Sequence, residues 1–333
     1  MVTGKLPNDL LEDIVFKYIK HKRKDILTGA AVGEDNALVD FGDDVAVLST
    51  DPITGAVNDI GSLAVNISCN DISTSGGEPI GLLMTILAPP ETTYEDIESI
   101  MKDAGETAQS LNVEIMGGHT EITDAVNKIV VSTTAIGRVK KKNLQRTENI
   151  NVGDKVLISK WAGIEGTSIL LNDLESYFID KLSENMLEEG KDYGKYISVL
   201  KEGKIGGQLG VNYMHDITEG GVLGAVWEAH KAIGKGIKIK KDLIPITDVT
   251  LELSKILDIN PLRLISSGSM LIIVKDSQLD ELKDRFKKEN INLSVIGEVT
   301  EEGIYMEDNG NLSVIDPPEV DELYRALGKF NTR

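Results

Sequence analysis

Two aspartates near the start of the chain are spaced so that a hairpin would bring them together. Asp35 and Asp51 lie eight residues on either side of Asp43. Apolar segments at 37–41 and 45–49 flank this turn, which predicts a β-hairpin with the two aspartates side by side at its open end. Adjacent carboxylates repel unless a cation or a proton lies between them, and hard oxygen ligands suit Mg²⁺. The alternative is that both are loop carboxylates exposed to water.

A third carboxylate lies where a charge is costly. Asp71 follows Asn70 inside the apolar stretch 62–75, which is predicted to be a helix closed by two glycines. A charge among apolar side chains is unfavourable unless it is paired or bound to a metal ion. Asp71 is therefore a candidate metal ligand, with a solvated helix face as the alternative.

Two further motifs combine glycine with acidic residues. Gly117-Gly118-His119-Thr120-Glu121 separates two predicted strands, and its glycines allow close backbone approach. Its histidine and glutamate are candidate ligands or phosphate contacts, with a satisfied structural histidine as the alternative. Asp216-Ile217-Thr218-Glu219-Gly220-Gly221 is predicted to begin a helix, whose N–H groups favour an anion. Asp216 or Thr218 could equally be a plain N-cap of that helix.

The composition excludes several classes of protein. Lys and Arg number 35 against 54 Asp and Glu, a net charge of −19 over 333 residues, which disfavours nucleic acid as a partner. No stretch of roughly 18 apolar residues and no signal-peptide core is present. Walker A, GxGxxG and kinase motifs are also missing. We expect a cytoplasmic protein without a membrane-spanning segment.

The single cysteine is a weak candidate for chemistry. Cys69 cannot form an intramolecular disulfide, and no base or cationic neighbour is evident that would lower the pKa of its thiol. It is expected to be a small buried apolar residue.

Strand and helix patterns alternate in both halves of the chain. The predicted elements include an amphipathic helix at 6–20, a strand at 80–87, a helix at 94–111, strands at 113–116 and 129–137, a Gly-bounded turn at 163–167 that leads into a helix, and a charged helical region at 172–202. The polar run 140–153 predicts a boundary between domains at 1–150 and 151–333. The sequence thus predicts an α/β (α+β) fold with two domains.

The order of the motifs is more specific than any one of them. The series comprises Gly33-Glu34-Asp35-Asn36-Ala37, Thr50-Asp51-Pro52-Ile53-Thr54-Gly55, Asn58-Asp59-Ile60-Gly61, Asn70-Asp71-Ile72, residues 117–121 and residues 215–221. Over roughly residues 5–315 the chain resembles the ATP-binding superfamily of aminoimidazole ribonucleotide synthetase, thiamine monophosphate kinase, selenophosphate synthetase and the hydrogenase maturation factor that dehydrates a carbamoyl group. The stretch 261–270 favours the hydrogenase-maturation branch.

The resemblance implies a fold and a set of residue roles. It implies a homodimer whose N-terminal domains join their sheets into a shared β-barrel, with ATP lying between the domains. Mg²⁺ would be held by Asp35, Asp51, Asp71 and Asp216. The nucleotide would be contacted by Thr50, Asp59, Asn70, Gly117, Gly118, Thr218 and Glu219. Catalysis would involve Asp71, His119 and Glu121.

Two departures from the family pattern bear on the reaction. Relatives often carry Asp or Glu at the position of His119, and imidazole is a poorer Mg²⁺ ligand than carboxylate. The maturation factor carries its substrate on a C-terminal cysteine, whereas this sequence ends Phe330-Asn331-Thr332-Arg333. Selenophosphate synthetases need a reactive cysteine or selenocysteine near the N-terminus. The first cysteine of this sequence is Cys69, which does not match that position.

These features leave two functions open. The first is a Mg-ATP-dependent enzyme that activates an oxygen by phosphoryl transfer, with the acceptor, a small molecule or a protein group, supplied by another molecule. A thiamine monophosphate kinase-like activity is a version of it. The second is a non-catalytic nucleotide-binding scaffold or partner protein in an assembly pathway.

Overall fold

The structure is a computed structural model that describes Leu6, residues 10–53 and residues 59–330. The strands are β1 (Ile26–Thr28), β2 (Ala37–Phe41), β3 (Asp44–Ile53), β4 (Glu78–Ala88), β5 (Glu114–Ile122), β6 (Val130–Lys140), β7 (Lys155–Ser159), β8 (Tyr213–Asp216), β9 (Gly236–Lys240), β10 (Met270–Val274), β11 (Leu293–Thr300), β12 (Ile304–Asp308) and β13 (Asn311–Val314). The helices are α1 (Ile60–Thr74), α2 (Tyr94–Leu111), α3 (Ile164–Asp173), α4 (Glu175–Phe178), α5 (Glu184–Lys191), α6 (Leu200–Leu209), α7 (Gly221–Ile233), α8 (Asp248–Leu257), α9 (Leu279–Lys288) and α10 (Glu322–Gly328). Short 3₁₀ turns link several of them.

The first sheet has one covered face and one open face. Its described strands run in the order β1-β2-β3-β6-β4-β5, and only the β4–β5 pair is parallel. Val47, Leu82 and Val131 are buried in one cluster with apolar side chains of α1 and α2. Side chains alternate along a strand, so Leu83 points to the opposite face, where it is 49% exposed. The sheet is therefore open, and no barrel closes within the described part of one chain.

The second sheet forms the core of the C-terminal half. Its order is β13-β12-β9-β11-β7-β10-β8, antiparallel except for the pair β9–β12. The apolar strands β7 and β10 lie inside this sheet, and α7 packs on it through Val222 and Val226. A mixed fold of two sheets with helices confirms the predicted class. The boundary at residue 150 stays a prediction.

The predicted hairpin is present with a shifted register. β2 pairs with β3 so that Phe41 lies opposite Asp44 and Ala37 opposite Leu48. The turn therefore consists of two residues, with Gly42 at a φ of +90° that favours glycine. Extending this register places Asp35 opposite Thr50 rather than opposite Asp51. The prediction that the aspartates pair directly across the hairpin is wrong by one residue.

The glycine-rich motif 117–121 is not a loop. It lies within β5, which pairs with β4 in parallel register from Leu83–Gly117 to Leu87–Glu121. Glycine suggested a turn, but here Gly118 allows close strand packing, since a Cβ atom on it would lie 1.8 Å from Met84 O. The predicted strand 113–116 therefore continues to residue 122.

Two predicted helices are shorter or broken. The described part of segment 6–20 forms a π-helical turn, Leu11–Val15, and a 3₁₀ turn, Phe16–Tyr18, with no buried residue. An amphipathic stretch needs a packed apolar face for helical stability, and none is buried here. The charged region 172–202 is divided into α4, α5 and a 3₁₀ turn at Asp192–Tyr196, with α3 ending and α6 beginning at its margins.

Candidate functional site

The four aspartates predicted to bind metal converge on one cavity. The cavity has a volume of about 680 Å³ and lies between the two sheets. Asp35, Asp51 and Asp71 line it from the first domain, and Asp216 lines it from the second. A cavity of this size is in the range of small-molecule and cofactor sites. Side chains that are up to 181 residues apart in sequence therefore share one site.

The β2–β3 hairpin and α1 supply the first half of the acidic cluster. Ser49 on β3 donates its hydroxyl to Asp71 on α1, and the same oxygen lies 3.1 Å from Asp51 Oδ2. Asn36 fixes the preceding loop to the helix by donating to Asp71 O at 2.7 Å and accepting from Ser75 Oγ at 2.7 Å. Asp71 thus faces the cavity, and the C-terminal end of α1 is fixed to the loop before β2.

Strand β8 supplies the second half of the cluster. Asp216 is the last residue of β8, and α7 begins five residues later with Gly220 as its N-cap. The alternative that Asp216 or Thr218 caps this helix is therefore wrong. One side-chain atom from each of Asp35, His215 and Asp216 lies within 4.8 Å of the other two.

His215 is a site residue to which sequence reasoning gave no role. Its Nδ1 lies 2.7 Å from Asp35 Oδ1, and its Nε2 lies 3.1 Å from Glu228 Oε2 on α7. The imidazole is 4% exposed, so both carboxylates contact it away from bulk water. His215 therefore ties Asp35 to β8 and α7. The signal was its position next to Asp216, but only the fold shows that it is buried.

The acidic cluster holds protons tightly without a metal ion. Burial raises the pKa of Asp71 well above its usual value, and the Asp216 and Asp51 carboxylates raise it further. Burial and Asp35 likewise raise the pKa of Asp216.

Burial alone would lower the pKa of His215, but Asp35 and Glu228 raise it well above its usual value. Burial and Asp35 raise the pKa of Glu34 to about 7.

The donor set fits a hard divalent cation. Asp216 Oδ2 is buried and has no hydrogen-bond partner among the described residues. Carboxylate oxygens are the ligands that Mg²⁺ prefers, and repulsion within the cluster is relieved when a cation binds. Asp35, Asp51, Asp71 and Asp216 are the residues that would hold it. Mg²⁺ held there would neutralise the cluster and stabilise negative charge on a bound phosphate group.

The loop after β8 is held by a carboxylate from the end of the chain. Asp321 Oδ2 accepts from Gly220 N at 2.6 Å, while its Oδ1 accepts from Leu323 N at 2.8 Å and from Ile265 N at 3.2 Å. Burial raises the pKa of Asp321 to about 6, although these backbone N–H groups lower it in part. Asp321 thereby positions the loop that carries Thr218 and Glu219 at the cavity wall. No short motif around it pointed to this contact.

The other predicted nucleotide residues lie in different places. Thr50, Thr218 and Glu219 line the large cavity. Asp59 lines a smaller neighbouring cavity. Asn70 is fully buried, donates to Ile197 O at 2.8 Å and accepts from Val199 N at 2.9 Å, so its side chain connects the two domains. A nucleotide contact by Thr50, Thr218, Glu219, Asp59 or Asn70 stays a prediction.

Residues 117–121 do not line this cavity within one chain. β5 is the edge strand of its sheet, and β4 and β6 separate it from β3. His119 and Glu121 contact each other at 3.2 Å with exposed side chains. Their parallel partners on β4, Thr85 and Leu87, alternate with the buried Met84 and Ile86. His119 and Glu121 therefore point to the open face of the sheet, and their catalytic roles stay predictions.

Cys69 is confirmed as a buried apolar side chain. It is fully buried in the core beneath the first sheet. Burial raises the pKa of Cys69 to about 12, so the thiolate is scarce at neutral pH. This sulfur is not a nucleophile of the site.

We expect the metal-free protein to lose stability as pH rises. Asp71, Asp216, Glu34 and Asp321 have a raised pKa, so the folded state keeps protons that the unfolded state releases above about pH 4. His215 acts in the same direction, because its stabilisation is complete below about pH 6.5 and is lost as pH rises through its folded pKa. The rise in the pKa of Glu34 from 4.5 to about 7 alone lowers the free energy of unfolding by roughly 3 kcal/mol once the pH exceeds both values.

Urea unfolding in EDTA between pH 5 and pH 8 measures this effect. The free energy of unfolding should fall across the window, and saturating Mg²⁺ should flatten the slope, since the cation replaces the protons. A free energy of unfolding that rises toward pH 8 in EDTA would show that these carboxylates do not form a strained cluster.

The chain belongs to the AIR synthase-related proteins. Residues 33–139 match the N-terminal domain of that family, and residues 151–308 match its C-terminal domain. Among the described residues, no helix combines the length and the apolar character needed to cross a bilayer.

Several relatives come from the hydrogenase-maturation branch of the family. The chain is 29% identical over 342 residues to a Methanocaldococcus jannaschii protein named for hydrogenase expression and formation, covering 97% of both chains. It is 24% identical over 280 residues to the carbamoyl dehydratase HypE of Rhodobacter capsulatus, covering 83% of this chain and 79% of the relative. A crystal structure of the hydrogenase maturation protein HypE in complex with ATP has the same fold, with a TM-score of 0.73 and 20% identity over 96% of this chain and 97% of that one.

Proposed function

We propose that this protein is a Mg-ATP-dependent enzyme that activates an oxygen atom of a second molecule by phosphoryl transfer. The observation that carries the proposal is the convergence of four aspartates on one cavity, with Asp216 Oδ2 buried and unpartnered among the described residues. Phosphoryl transfer depends mainly on positioning and on stabilisation of phosphate charge by metal ions. A buried cluster of oxygen ligands beside a cofactor-sized cavity supplies both.

The names of the relatives agree with this chemistry. One similar structure is a HypE protein in complex with ATP, and one similar sequence is a carbamoyl dehydratase. Dehydration removes an oxygen atom from its substrate, and a phosphorylated oxygen is a far better leaving group than a hydroxyl group. We infer that ATP occupies the large cavity of this protein in the same role.

The acceptor is proposed to be a separate molecule. The one cysteine in the sequence is buried in the core of the first domain and does not line the cavity. A thiol that carries the substrate would therefore come from another chain. A small molecule that enters the site from solution is the second source.

We also propose that the active form is a homodimer that shares the open face of the first sheet. Leu83 and Met116 are exposed by 49% and 46%, and the outer edge of β5 has no strand partner among the described residues. An unpaired edge beside exposed apolar side chains is a surface that another strand or sheet covers. Pairing there would place His119 and Glu121 in the interface and join two sheets into one barrel.

Calorimetry of the wild-type protein tests the function. A non-hydrolysable ATP analogue should bind in Mg²⁺ and lose most of its affinity in EDTA. Release of ADP in the presence of candidate acceptors then distinguishes an enzyme from a nucleotide-binding scaffold, because a scaffold gives Mg²⁺-dependent binding without product. Equal affinity for the ATP analogue in Mg²⁺ and in EDTA would contradict the proposed site. Sedimentation of the same sample should give the mass of two chains.

A further inference from the structure

A second, smaller cavity adjoins the one that holds the acidic cluster. It has a volume of about 310 Å³ and shares two lining residues, Glu165 and Ile169, with the large cavity. Both residues lie on α3 of the second domain. Glu165 thus lies in the wall that the two cavities share.

The sequence around Glu165 fixes its place at the start of α3. Gly163 has a φ of +73° as the N-cap, and a Cβ atom there would lie 2.9 Å from Thr250 Cγ2. A Cβ atom on Gly166 would lie 2.5 Å from Leu264 Cδ1. These two glycines let the first turn of α3 pack directly against α8 and against the segment before β10. Glu165 is the residue between them that carries a functional group.

Glu165 is buried without a full set of partners. The residue is 4% exposed, and its Oε2 atom has no hydrogen-bond partner of good geometry among the described residues. The hydroxyl oxygen of the neighbouring Ser267, which also lines the large cavity, is likewise buried, and it lies beside the Glu165 carboxyl group. Unsatisfied buried polar atoms are rare in folded proteins, and they indicate a ligand or a catalytic role when they face a cavity.

Resting on the proposed function, we infer that the smaller cavity binds the acceptor and that Glu165 accepts the proton of the acceptor during phosphoryl transfer. As the acceptor oxygen forms a bond to the terminal phosphorus of ATP, the bond from that phosphorus to the bridging oxygen breaks. The electron pair of the broken bond leaves with ADP. The proton of the acceptor moves to Glu165 Oε2.

The charges around the smaller cavity select the class of acceptor. Its lining includes the carboxylates of Asp59, Asp173, Asp192 and Glu165 and the ammonium groups of Lys191 and Lys195. Lys191 is paired with Glu175 at 2.9 Å and Lys195 with Asp192 at 2.5 Å. The excess of carboxylates disfavours an acceptor that carries phosphate or carboxylate groups. The acceptor is therefore a small neutral or cationic group that carries a hydroxyl or an amide.

The pKa of Glu165 is suited to a general base that works near neutral pH. Burial raises the pKa of Glu165 to about 7, and Ser267 beside it lowers the pKa in part. Asp321 and Glu219, which face it from the chain end and from the loop after β8, raise it further. A general base is most effective when its pKa lies near the working pH.

Hydrolysis of Mg-ATP with water as the probe acceptor tests the role of Glu165. Wild-type hydrolysis should rise with pH through about 7, as the carboxyl group ionises. Glu165→Gln should bind Mg-ATP with unchanged affinity, hydrolyse it about 100-fold more slowly and lose this dependence on pH. Glu165→Asp should restore part of the rate. Glu184→Gln, an exposed glutamate in the first turn of α5, is the matched control and should behave as wild type.

The outcomes separate this inference from the proposed function. If wild type does not bind Mg-ATP, the proposed function fails. If Glu165→Gln hydrolyses bound Mg-ATP at the wild-type rate with the wild-type pH profile, only the role of Glu165 is overturned. Bound Mg-ATP that the wild type leaves intact also overturns the role of Glu165.

Discussion

Replacing Asp71 with asparagine is expected to remove most Mg²⁺-dependent nucleotide binding and, at the same time, to stabilise the metal-free protein. Asp71 is 7% exposed and lies among the carboxylates of Asp51, Asp216 and Asp35, which repel it. An asparagine of nearly the same shape keeps an oxygen for Ser49 and carries no charge. In EDTA at pH 8, the free energy of unfolding should rise by about 1–2 kcal/mol.

The same substitution should weaken the site for its cation. Loss of a group that only supports a metal ligand typically costs about 10–100-fold in affinity, so loss of a charged ligand should cost about 100-fold or more. Calorimetry with a non-hydrolysable ATP analogue in Mg²⁺ measures this loss. Gain of stability with loss of binding is the pattern of a functional site whose charges oppose folding.

Asp180→Asn is the matched control for net charge. Asp180 is exposed in a turn of the second domain and does not line either cavity. Replacement of Asp180 by asparagine should leave both the free energy of unfolding and the nucleotide affinity as in wild type. Equal nucleotide affinity in Asp71→Asn and wild type would show that Asp71 is not a metal ligand.

Local patterns were sufficient for the elements that carry the acidic cluster. The alternating strands around Gly42 predicted the hairpin, and the apolar stretch with Asp71 predicted α1, because periodicity depends on neighbours in sequence. The cost of a buried charge then identified Asp71 as a candidate ligand. The exact register of the hairpin was missed, since a turn of two residues and a turn of three give nearly the same pattern.

Contacts between the domains could not be predicted from local pattern. Asn70 was grouped with Asp71 by sequence, but its amide bonds to the backbone of residues 197 and 199, more than 120 residues away. His215, Glu165 and Asp321 depend in the same way on which segments the fold brings together. A buried histidine or glutamate has no local signature, because burial is a property of the tertiary structure.

The motif Gly117-Gly118 shows how one residue type supports two hypotheses. Glycine before a histidine predicted a loop that approaches phosphate, whereas the structure places both glycines in a parallel strand. The two glycines differ in the atoms that surround them. A Cβ atom on Gly118 would lie 1.8 Å from Met84 O, while one on Gly117 would have only Leu83 Cδ2 near it, at 3.8 Å.

Gly118→Ala is therefore expected to lower the free energy of unfolding by about 3 kcal/mol or more, and Gly117→Ala by about 1 kcal/mol. Both glycines have nearly the same φ, +154° and +155°, so conformational strain is common to the two variants and the difference isolates the close approach of β5 to β4. Urea unfolding at pH 7 measures both values. Equal losses would mean that β5 is free to move away from β4, and the packing role of Gly118 would be wrong.

Nucleotide affinity of Gly117→Ala answers the remaining question about this motif. Gly117 lies opposite Leu83 on the open face, and the added methyl group has room there in a single chain. If a second copy brings this edge to its cavity, the methyl group should weaken Mg-ATP binding without a large loss of stability. If the motif serves only to pack β5 on β4, binding by Gly117→Ala should match wild type, because β5 does not line the cavity of its own chain.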